Sequence, residues 1–485
     1  MKYHKSSFKI FLQVRYDSKR LYGKSLLNFP EKNILNFLIK RLKKNKFNIP
    51  IILLTTNRQV DKKIIKVAKQ NNIDYFAGSY KNVFKRFLDA SQKFNVENII
   101  RVCGDNPLTD IKFLEECVDK FSKGSWDHLS TFHKPAVPYG TGCAIFKSSL
   151  LKKEIIKKLN KFDLEHVEPF FLRSKKIKTL FYKSKNKNFN KRNLSFSIDT
   201  EKEYFFVKKI CENIYNKKGL NFDISDLIKK VERLSAICFL NGNLGLNILK
   251  KLVNLNIKIK LVILHPPSLA SKDKEISKLC RDNKIKIVQP NRLIIEEKNL
   301  ERIIKQQKAD LCLTIWSSYI FSKNIIDLFP RGVVNLHNSF LPENKGSNAN
   351  IHYILKDKEP GVTLHYVSKE IDSGAIIDQY RFKIDISETG YSLQQKMEKE
   401  MVKIFLKNWN KIKNFNYKLC KIQTSKGNYN LKGKILKNNI VNLDKNYKAL
   451  DLINFLRAFT YKGYVGAKLK HNDILYECKV FIKKK

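Results

Sequence analysis

The 485-residue sequence has no Cys-x-x-Cys pair among its nine cysteines and no apolar run of membrane-spanning length. Zinc sites and disulfide-stapled folds need closely spaced or paired cysteines, so cysteines scattered from Cys103 to Cys478 favour a reduced, cytoplasmic protein. Every apolar run falls short of the ~18 residues that a spanning helix needs, and we expect no membrane insertion. The basic start has only a short apolar piece and does not indicate a signal peptide.

Acidic residues are scarce, since 45 Asp and Glu oppose 95 Lys and Arg, for a formal net charge of +50. Such a charge can serve nucleic acid or an anionic surface. The excess is spread along the whole chain, however, and forms no basic stripe interleaved with aromatic residues. We therefore expect small anionic substrates rather than a nucleic-acid partner, and the existence of a homo-oligomer stays open.

The chain also lacks internal repeats and long low-complexity linkers, and its length predicts two to four domains. Short apolar strands alternating with helical stretches predict a three-layer α/β domain over residues 1–233. A second α/β block follows at 234–413, and residues 414–485 form a small strand-rich tail. The predicted fold class is α/β, with two α/β domains followed by a small β-rich domain.

A basic polar loop follows the first predicted strand, in the stretch FLQVRYDSKRLYGKSLL at residues 11–27. Its polar side chains are close enough in sequence to converge on one polyanion; they are Arg15, Ser18, Lys19, Arg20 and Lys24. On composition alone, a solvated basic turn is the commoner outcome in a Lys-rich chain.

Two carboxylates change that balance. Asp105 in RVCGDNPLTD and Asp199 in FSIDTEKEY each follow a strand-like run, where a sheet presents ligand-binding residues. A hard cation that bridges such carboxylates and a nucleotide neutralises phosphate charge during attack on phosphorus.

The loop QVRYDSKRLYGKSL resembles the signature loop of the spore-coat-polysaccharide cytidylyltransferases and their sugar-acid relatives. The blocks AGSYKNVFKRFLDASQKF, IIRVCGDNPLTD, LEHVEPFF and SFSIDTEKEYFFVKKI follow in that family's order, over residues 8–232. The resemblance implies a nucleotide-diphospho-sugar-transferase-like fold and cytidylyl transfer from CTP. It also implies a triphosphate grip by Arg15, Ser18, Arg20 and Lys24, a cytosine contact at Gly78 and Ser79, and Mg²⁺ held by Asp105 and Asp199.

Three residues depart from that family's pattern. Asp17 and Tyr22 stand where the family usually has Gly and Pro, so an added acid faces the polyanion. Ala144, which follows PYGTGC, stands where relatives often place a Glu. These departures leave the activity of this half open and bear most on acceptor binding.

A second polar cluster begins in GVVNLHNSFLPENKG at residues 332–346. Side chains alternate along an extended VVNLH, which places Asn335 and His337 on the same side of a strand. Acyl transfer to an amine needs an oxyanion donor, a proton shuttle and a carboxylate that orients the shuttle. Asn335 and His337 supply the first two, and Asp372, on a predicted turn in EIDSG, offers the third. His352 and His365 are expected to be surface or packing residues, because no other residue at metal-ligand spacing accompanies them.

This constellation resembles the folate-dependent formyltransferases. Their Asn-x-His, Leu-Pro, Lys-Gly, Gly-Val-Thr and Asp-x-Gly elements occur here in the same order, within residues 235–410. The resemblance implies a Rossmann-like fold, 10-formyltetrahydrofolate as formyl donor, and Asn335, His337 and Asp372 as the catalytic trio. NGNLGLNIL is then the first loop and helix, and IWSSYIF flanks the folate.

The residues around the trio bear on the substrate. Asn338 follows His337, where the tRNA-formylating members of the family generally have Pro. ENKGSNANIHYI replaces their Arg-Gly-Ala-Ala-like stretch, and the tail is similar to that of formyltransferases acting on nucleotide-linked amino sugars. These features favour a sugar N-formyltransferase.

Two functions stay open from the sequence. The first is a bifunctional enzyme of cell-surface glycan precursor synthesis, which uses CTP in one half and formylates an amino sugar in the other. The alternative is a methionyl-tRNA formyltransferase-like, RNA-binding enzyme with a degenerate nucleotidyltransferase half. A noncatalytic scaffold is a distant third.

Overall fold

The computed structural model describes most of the chain, in two compact units, Met1–Glu232 and Arg233–Lys485. The described residues are 7–18, 20–132, 137–156, 159–184, 186, 189, 194–295, 298–415, 420–424, 427–431, 433–437, 439–461, 466–472 and 474–483. Within these residues, no helix combines the length and the apolarity needed to cross a bilayer.

The first unit is built on a mixed sheet. Its strands are β1 (Phe8–Gln13), β2 (Asn28–Phe29), β3 (Lys32–Asn33), β4 (Ile51–Thr56), β5 (Asp74–Gly78), β6 (Asn98–Cys103), β7 (His128–Ser130), β8 (Ala144–Lys147) and β9 (Thr179–Phe181). Seven of them form one sheet in the order β5-β4-β1-β6-β8-β7-β9. β5, β4, β1 and β6 run parallel, whereas β8 is antiparallel to β6. The carboxyl ends of four parallel strands therefore meet at one edge, where such sheets bind ligands.

Helices cover this sheet. They are α1 (Ile34–Leu42), α2 (Lys62–Gln70), α3 (Val83–Lys93), α4 (Ile111–Ser122), α5 (Lys153–Ile156), α6 (Lys161–His166), α7 (Glu168–Arg173), α8 (Glu201–Lys218) and α9 (Ile224–Glu232). Asn82 caps α3 by accepting a hydrogen bond from the backbone of Lys85. Phe84 and Phe87, three positions apart on α3, lie in the same core cluster as Phe11 of β1. The predicted helix over KNVFKRFLDASQKF thus forms because its apolar spacing matches one helical face.

A buried ionic network lies beneath α7. Glu168 accepts hydrogen bonds from Arg101 Nη1 at 2.8 Å and from Ser130 Oγ at 3.1 Å, and it lies 3.3 Å from His128 Nε2. Burial opposes its ionisation, but the contact with His128 and the charge of Arg101 hold the pKa of Glu168 below its usual value. Without the Glu168 carboxylate, the three buried groups that contact it would lose a shared hydrogen-bond partner.

Glu168→Ala is expected to lower the free energy of unfolding by ~3–5 kcal/mol, because it leaves the Arg101 guanidinium buried without a carboxylate. Urea denaturation of the full chain measures this loss. Because the pKa of Glu168 is lowered, its contribution is complete above the ordinary value of 4.5 and disappears as the pH falls through the folded-state pKa.

Glu165→Ala is the control for that experiment. Glu165 lies 3.9 Å from Arg15, and both side chains are exposed, so the pair contributes less than about 1 kcal/mol. Equal losses in the two variants would mean that the buried network adds nothing specific.

The second unit contains another seven-stranded sheet. The strands of the whole unit are β10 (Ser235–Leu240), β11 (Lys258–Leu264), β12 (Ile287–Val288), β13 (Leu311–Ile315), β14 (Val333–His337), β15 (Lys345–Gly346), β16 (Gly361–Tyr366), β17 (Ile376–Arg381), β18 (Tyr429–Asn430), β19 (Ile440–Asn442), β20 (Ala467–His471) and β21 (Ile474–Cys478). The large sheet has the order β12-β11-β10-β13-β14-β16-β17. Its first five strands are parallel, and β16 is antiparallel to β14 and to β17.

The helices of this unit are α10 (Gly242–Asn254), α11 (Asp273–Asp282), α12 (Lys298–Gln307), α13 (Lys323–Ile326), α14 (Ala349–Leu355), α15 (Gly390–Lys413) and α16 (Ala449–Ala458). β15 pairs with β18, which follows α15, and β19, β20 and β21 form a small separate sheet. Two α/β units, the second of which ends in a small strand-rich region, confirm the predicted fold class.

Candidate functional sites

Four of the predicted site residues converge beside the carboxyl ends of β1 and β6. Lys24 Nζ donates to Asp105 Oδ2 at 2.9 Å, to Asp199 Oδ1 at 3.0 Å and to Ile198 O at 2.9 Å. Arg20 Nη2 lies 3.0 Å from the same Asp199 Oδ1. The two predicted metal carboxylates and two predicted phosphate-binding residues therefore form one cluster, which we name the carboxylate–lysine cluster.

In the carboxylate–lysine cluster, the two carboxylates stabilise the charged form of Lys24. Burial opposes the charge of Lys24, but Asp105 and Asp199 raise its pKa above the usual value. The two carboxylates also converge on one point, and carboxylate oxygens are the donors that Mg²⁺ prefers. Among the described residues, no group of three or more His, Cys, Asp or Glu is arranged to hold a metal. Asp105 and Asp199 could thus supply two ligands to Mg²⁺, and the remaining ligands would have to come from a substrate or water.

Asp199 reaches this point by a route that the sequence did not predict. The segment before it is not a strand of the sheet. A backbone hydrogen bond holds this segment beside the loop after β6, because Ile198 N donates to Asp105 O at 2.8 Å. Asp199 N donates to Glu203 Oε2 at 2.9 Å, and Glu203 forms a capping box with Thr200 at the start of α8. A helix cap, rather than a strand end, therefore positions this carboxylate.

Asp17, the added acid of the loop after β1, is paired with a cation. Its two carboxylate oxygens accept hydrogen bonds from Arg58 at 2.5 and 2.6 Å. The hydrogen bond from Arg58 lowers the pKa of Asp17. Arg58 in turn stacks 3.7 Å from the ring centroid of Tyr80. Arg58 therefore offsets the charge that the departure introduces.

The predicted cytosine-side residues lie at the carboxyl end of β5. Gly78 is the last residue of β5, and Ser79 begins the turn that leads to α3. Ser79 O accepts hydrogen bonds from Arg86 Nε at 3.0 Å and from Arg86 Nη2 at 2.6 Å. A buried guanidinium therefore fixes the backbone of this turn, and its role toward a base stays a prediction.

The other predicted polyanion-binding residues of the loop after β1 lie outside the carboxylate–lysine cluster. The Arg15 guanidinium is 5.9 Å from the ring centroid of Tyr80, which follows the cytosine-side turn. Ser18 is half-buried on the same loop, and Lys19 lies outside the described residues. Arg58 and Tyr80 were missed by sequence reasoning, although Arg58 follows a parallel strand at the same sheet edge.

In the second unit, the three predicted catalytic residues lie in one cluster with His365, which we name the histidine–aspartate cluster; both histidines are buried and Asn335 and Asp372 are half-buried. Asp372 Oδ1 lies 3.7 Å from His337 Nδ1 and 3.7 Å from His365 Nε2. Asn335 Nδ2 lies 3.2 Å from His365 Nε2. Asp372 Oδ2 accepts the Gly346 N–H at 2.9 Å. One carboxylate is thus shared between two imidazoles.

Backbone carbonyls determine which ring nitrogens carry protons. His337 Nε2 lies 3.3 Å from Asn344 O, and His365 Nδ1 lies 2.9 Å from Tyr366 O. Because a carbonyl oxygen only accepts, both of these nitrogens are protonated. The other nitrogen of each ring faces Asp372.

Asp372 is held as a carboxylate on a constrained turn. Burial opposes its ionisation, but the charges of His337 and His365 keep the pKa of Asp372 below its usual value. Its backbone has φ of 50°, and Gly374 follows two residues later. A Cβ at Gly374 would lie 1.7 Å from Tyr366 O, so the close approach of β16 admits only glycine there.

His365 is the main residue that sequence reasoning missed. It is 1% exposed, which agrees with the expected packing role, but it also contacts both Asn335 and Asp372, which the sequence did not predict. The antiparallel register of β14 and β16 pairs Asn335 with His365. Sequence spacing does not report a register between strands, so no local signal could have located this contact. His352 lies half-buried on α14.

The segments predicted to flank a folate begin at the same sheet edge. Asn241 follows β10, Trp316 follows β13, and His337 ends β14. These three strands are neighbours and run parallel, so their carboxyl ends lie side by side. Open parallel sheets commonly bind ligands at this edge, so the folate-flanking role of these segments stays a prediction.

Comparison with known proteins divides the chain in the same way. Residues 10–230 match the family model described as Cytidylyltransferase, and residues 239–408 match the model described as Formyl transferase. An uncharacterized protein of Methanocaldococcus jannaschii is 29% identical over 232 residues, covering 48% of this chain and 93% of that protein. The spore coat polysaccharide biosynthesis protein SpsF of Bacillus subtilis is 24% identical over 219 residues, covering 44% of this chain and 88% of its own.

The second half is similar to other proteins. Methionyl-tRNA formyltransferase of Borreliella burgdorferi is 28% identical over 201 residues, covering 40% of this chain and 60% of that enzyme. The solved sugar N-formyltransferase of a Shewanella species is 18% identical with a TM-score of 0.45, covering 52% of this chain and 99% of that one. The two halves thus match two different families.

Proposed function

Because the chain joins a cytidylyltransferase-family domain to a formyltransferase-family domain, we propose that it is a bifunctional enzyme of cell-surface glycan precursor synthesis. The first domain transfers a cytidylyl group from CTP to a sugar or sugar acid. The second transfers a formyl group from 10-formyltetrahydrofolate to an amino sugar. The observation that carries the proposal is that each unit has its own polar cluster, of the matching chemistry, beside its sheet.

In the first domain, the loop after β1 supplies positive charge for a triphosphate. Arg20 is at the exposed rim, with 64% of its side chain accessible, and its planar fork suits two phosphate oxygens. Asp105 and Asp199 would hold Mg²⁺, which neutralises phosphate charge when bound. Attack of an acceptor oxygen on the α-phosphorus then breaks the bond to pyrophosphate.

In the second domain, the amine of the sugar attacks the formyl carbon, and negative charge develops on the formyl oxygen. The Asn335 amide donates a hydrogen bond to that oxygen. His337 Nδ1 accepts the proton that the amine loses, and Asp372 stabilises the resulting imidazolium. When the tetrahedral intermediate collapses, the bond between the formyl carbon and N10 of the folate breaks, and the imidazolium returns its proton to N10 as tetrahydrofolate leaves. His365 orients Asn335, because His365 Nε2 accepts from the amide at 3.2 Å.

His365→Ala is expected to lower kcat for formyl transfer by up to ~100-fold, the loss that a misplaced catalytic group produces. KM for the folate should stay within about twofold, because His365 acts through Asn335 and Asp372. The pH profile of kcat should also change, because the variant removes one of the two imidazoles beside the Asp372 carboxylate. A variant that is only less stable would keep the wild-type pH profile. His352→Ala is the control, and a similar fall in that variant would contradict the role of His365.

A second candidate is a methionyl-tRNA formyltransferase-like enzyme with a degenerate nucleotidyltransferase domain. The name of the Borreliella relative and the net charge of +50 favour it. The name of the Bacillus relative, which belongs to polysaccharide biosynthesis, favours the glycan function instead.

The full chain can be tested against both functions. It is incubated with 10-formyltetrahydrofolate and either nucleotide-linked amino sugars or methionyl-tRNA, and formylated product is identified by mass spectrometry. In parallel, pyrophosphate release from CTP is measured with a panel of sugars and sugar acids. Formylation of tRNA alone, together with RNA binding that falls steeply with salt, would overturn the glycan function.

A further inference from the structure

Lys24 uses all of its hydrogen-bonding capacity within the carboxylate–lysine cluster. An ammonium group has three donors. Here the three acceptors are Asp105 Oδ2, Asp199 Oδ1 and Ile198 O, all within 3.0 Å, and 14% of the side chain is exposed. No donor is left for a phosphate oxygen in this arrangement. Phosphate binding by Lys24 and its present contacts are therefore alternatives.

The position of the ammonium also matters for the metal. Its nitrogen lies at the point on which the two carboxylates converge, and a dication held by the same oxygens would lie close to that point. Two cations cannot share the place, because like charges a few ångströms apart repel strongly in a partly buried site. Without either cation, Asp105 and Asp199 would repel each other in the same way.

We propose that Lys24 is a placeholder cation, which neutralises Asp105 and Asp199 before nucleotide binds and is displaced when the nucleotide and its metal enter together. The inference rests on the proposed nucleotidyl transfer of the first domain. The nucleotide gives the displaced ammonium new acceptors in its phosphate oxygens, and it gives the metal additional ligands. The metal alone offers neither, so metal and nucleotide bind cooperatively.

The chain provides for such a movement without a change of fold. The ammonium sits on a flexible four-carbon stem, which can turn from carboxylate to phosphate by rotation of side-chain bonds. Arg20 Nη2 contacts Asp199 Oδ1 at 3.0 Å from the exposed rim, so one cation remains beside that carboxylate while Lys24 moves. When nucleotide binds, the metal ion thus replaces Lys24 as the cation that neutralises Asp105 and Asp199.

The test measures Mn²⁺ binding to the full chain by electron paramagnetic resonance, with and without a nonhydrolysable CTP analogue. We expect wild-type protein to bind Mn²⁺ weakly alone and at least about tenfold more tightly with the analogue. Lys24→Met removes the charge and keeps most of the length, so it should bind Mn²⁺ alone at least about tenfold more tightly than wild type. Asp199→Asn added to Lys24→Met should abolish this gain, which locates the ion at the cluster.

Lys112→Met is the matched control, because Lys112 pairs with Asp223 at 3.2 Å on the surface and is 77% exposed. It should leave Mn²⁺ binding unchanged. The proposal is overturned if Lys24→Met binds Mn²⁺ no better than wild type, or if wild-type protein binds it equally well without the analogue. The second comparison needs no variant, so it holds even when Lys24→Met does not fold. Neither readout requires turnover, whereas the proposed function fails separately if no acceptor releases pyrophosphate from CTP.

Discussion

His337→Ala is expected to reduce formyl transfer to an amino sugar by ~100-fold or more, because it removes the group proposed to accept the proton of the attacking amine. His337 Nε2 lies 3.3 Å from the backbone carbonyl of Asn344, so Nδ1 is the ring position proposed to take up this proton. Initial rates with saturating folate and amino sugar measure the effect. Folate binding should be nearly unchanged, because the segments after β10 and β13 are expected to form the pterin pocket.

Asp372→Asn is expected to have a similar effect, because it keeps the size of the side chain and removes the charge that stabilises the imidazolium. His352→Ala again serves as the control, and CTP turnover should be unaffected in all three variants. A folded His337→Ala protein that formylates at nearly the wild-type rate would show that Asn335 and His337 are only a strand end.

The second large effect is expected in the other domain. Asp105→Asn and Asp199→Asn should each reduce pyrophosphate release from CTP by ~1,000-fold or more, because metal stabilisation of phosphate charge is worth several kcal/mol. Formyl transfer by the other domain should continue at the wild-type rate. A coupled pyrophosphate assay measures the first activity, and mass spectrometry of the formylated sugar measures the second.

Asp89→Asn is the control for these two variants, since Asp89 forms an exposed pair with Lys85 at 2.6 Å on α3. It should leave both activities unchanged. CTP turnover that persists in both Asp105→Asn and Asp199→Asn would show that these carboxylates do not hold the metal. The placeholder role of Lys24 would then lose its basis as well.

The sequence predicted the features that depend on local pattern. Alternating strands and helices predicted two α/β domains and a small strand-rich tail, because apolar periodicity is a property of neighbouring residues. The alternation along β14 placed Asn335 and His337 on one face, and both contact the cluster around Asp372. Ordered motifs brought Asp105, Asp199 and the basic loop into one hypothesis, although their individual roles remain predictions.

The tertiary structure decided which of these groups meet and what each contacts. Lys24 lies 81 residues from Asp105 and 175 from Asp199, and Asp17 lies 41 residues from Arg58. His365 joins Asn335 only through the register of two antiparallel strands. Local patterns carry no information about strand order or register, because these follow from burying whole faces of a sheet at once. The sequence therefore determined the residue types and the strand faces on which they lie. The position of Lys24 between the carboxylates and the contact of His365 with Asp372 depend instead on the packing of segments that are distant in sequence.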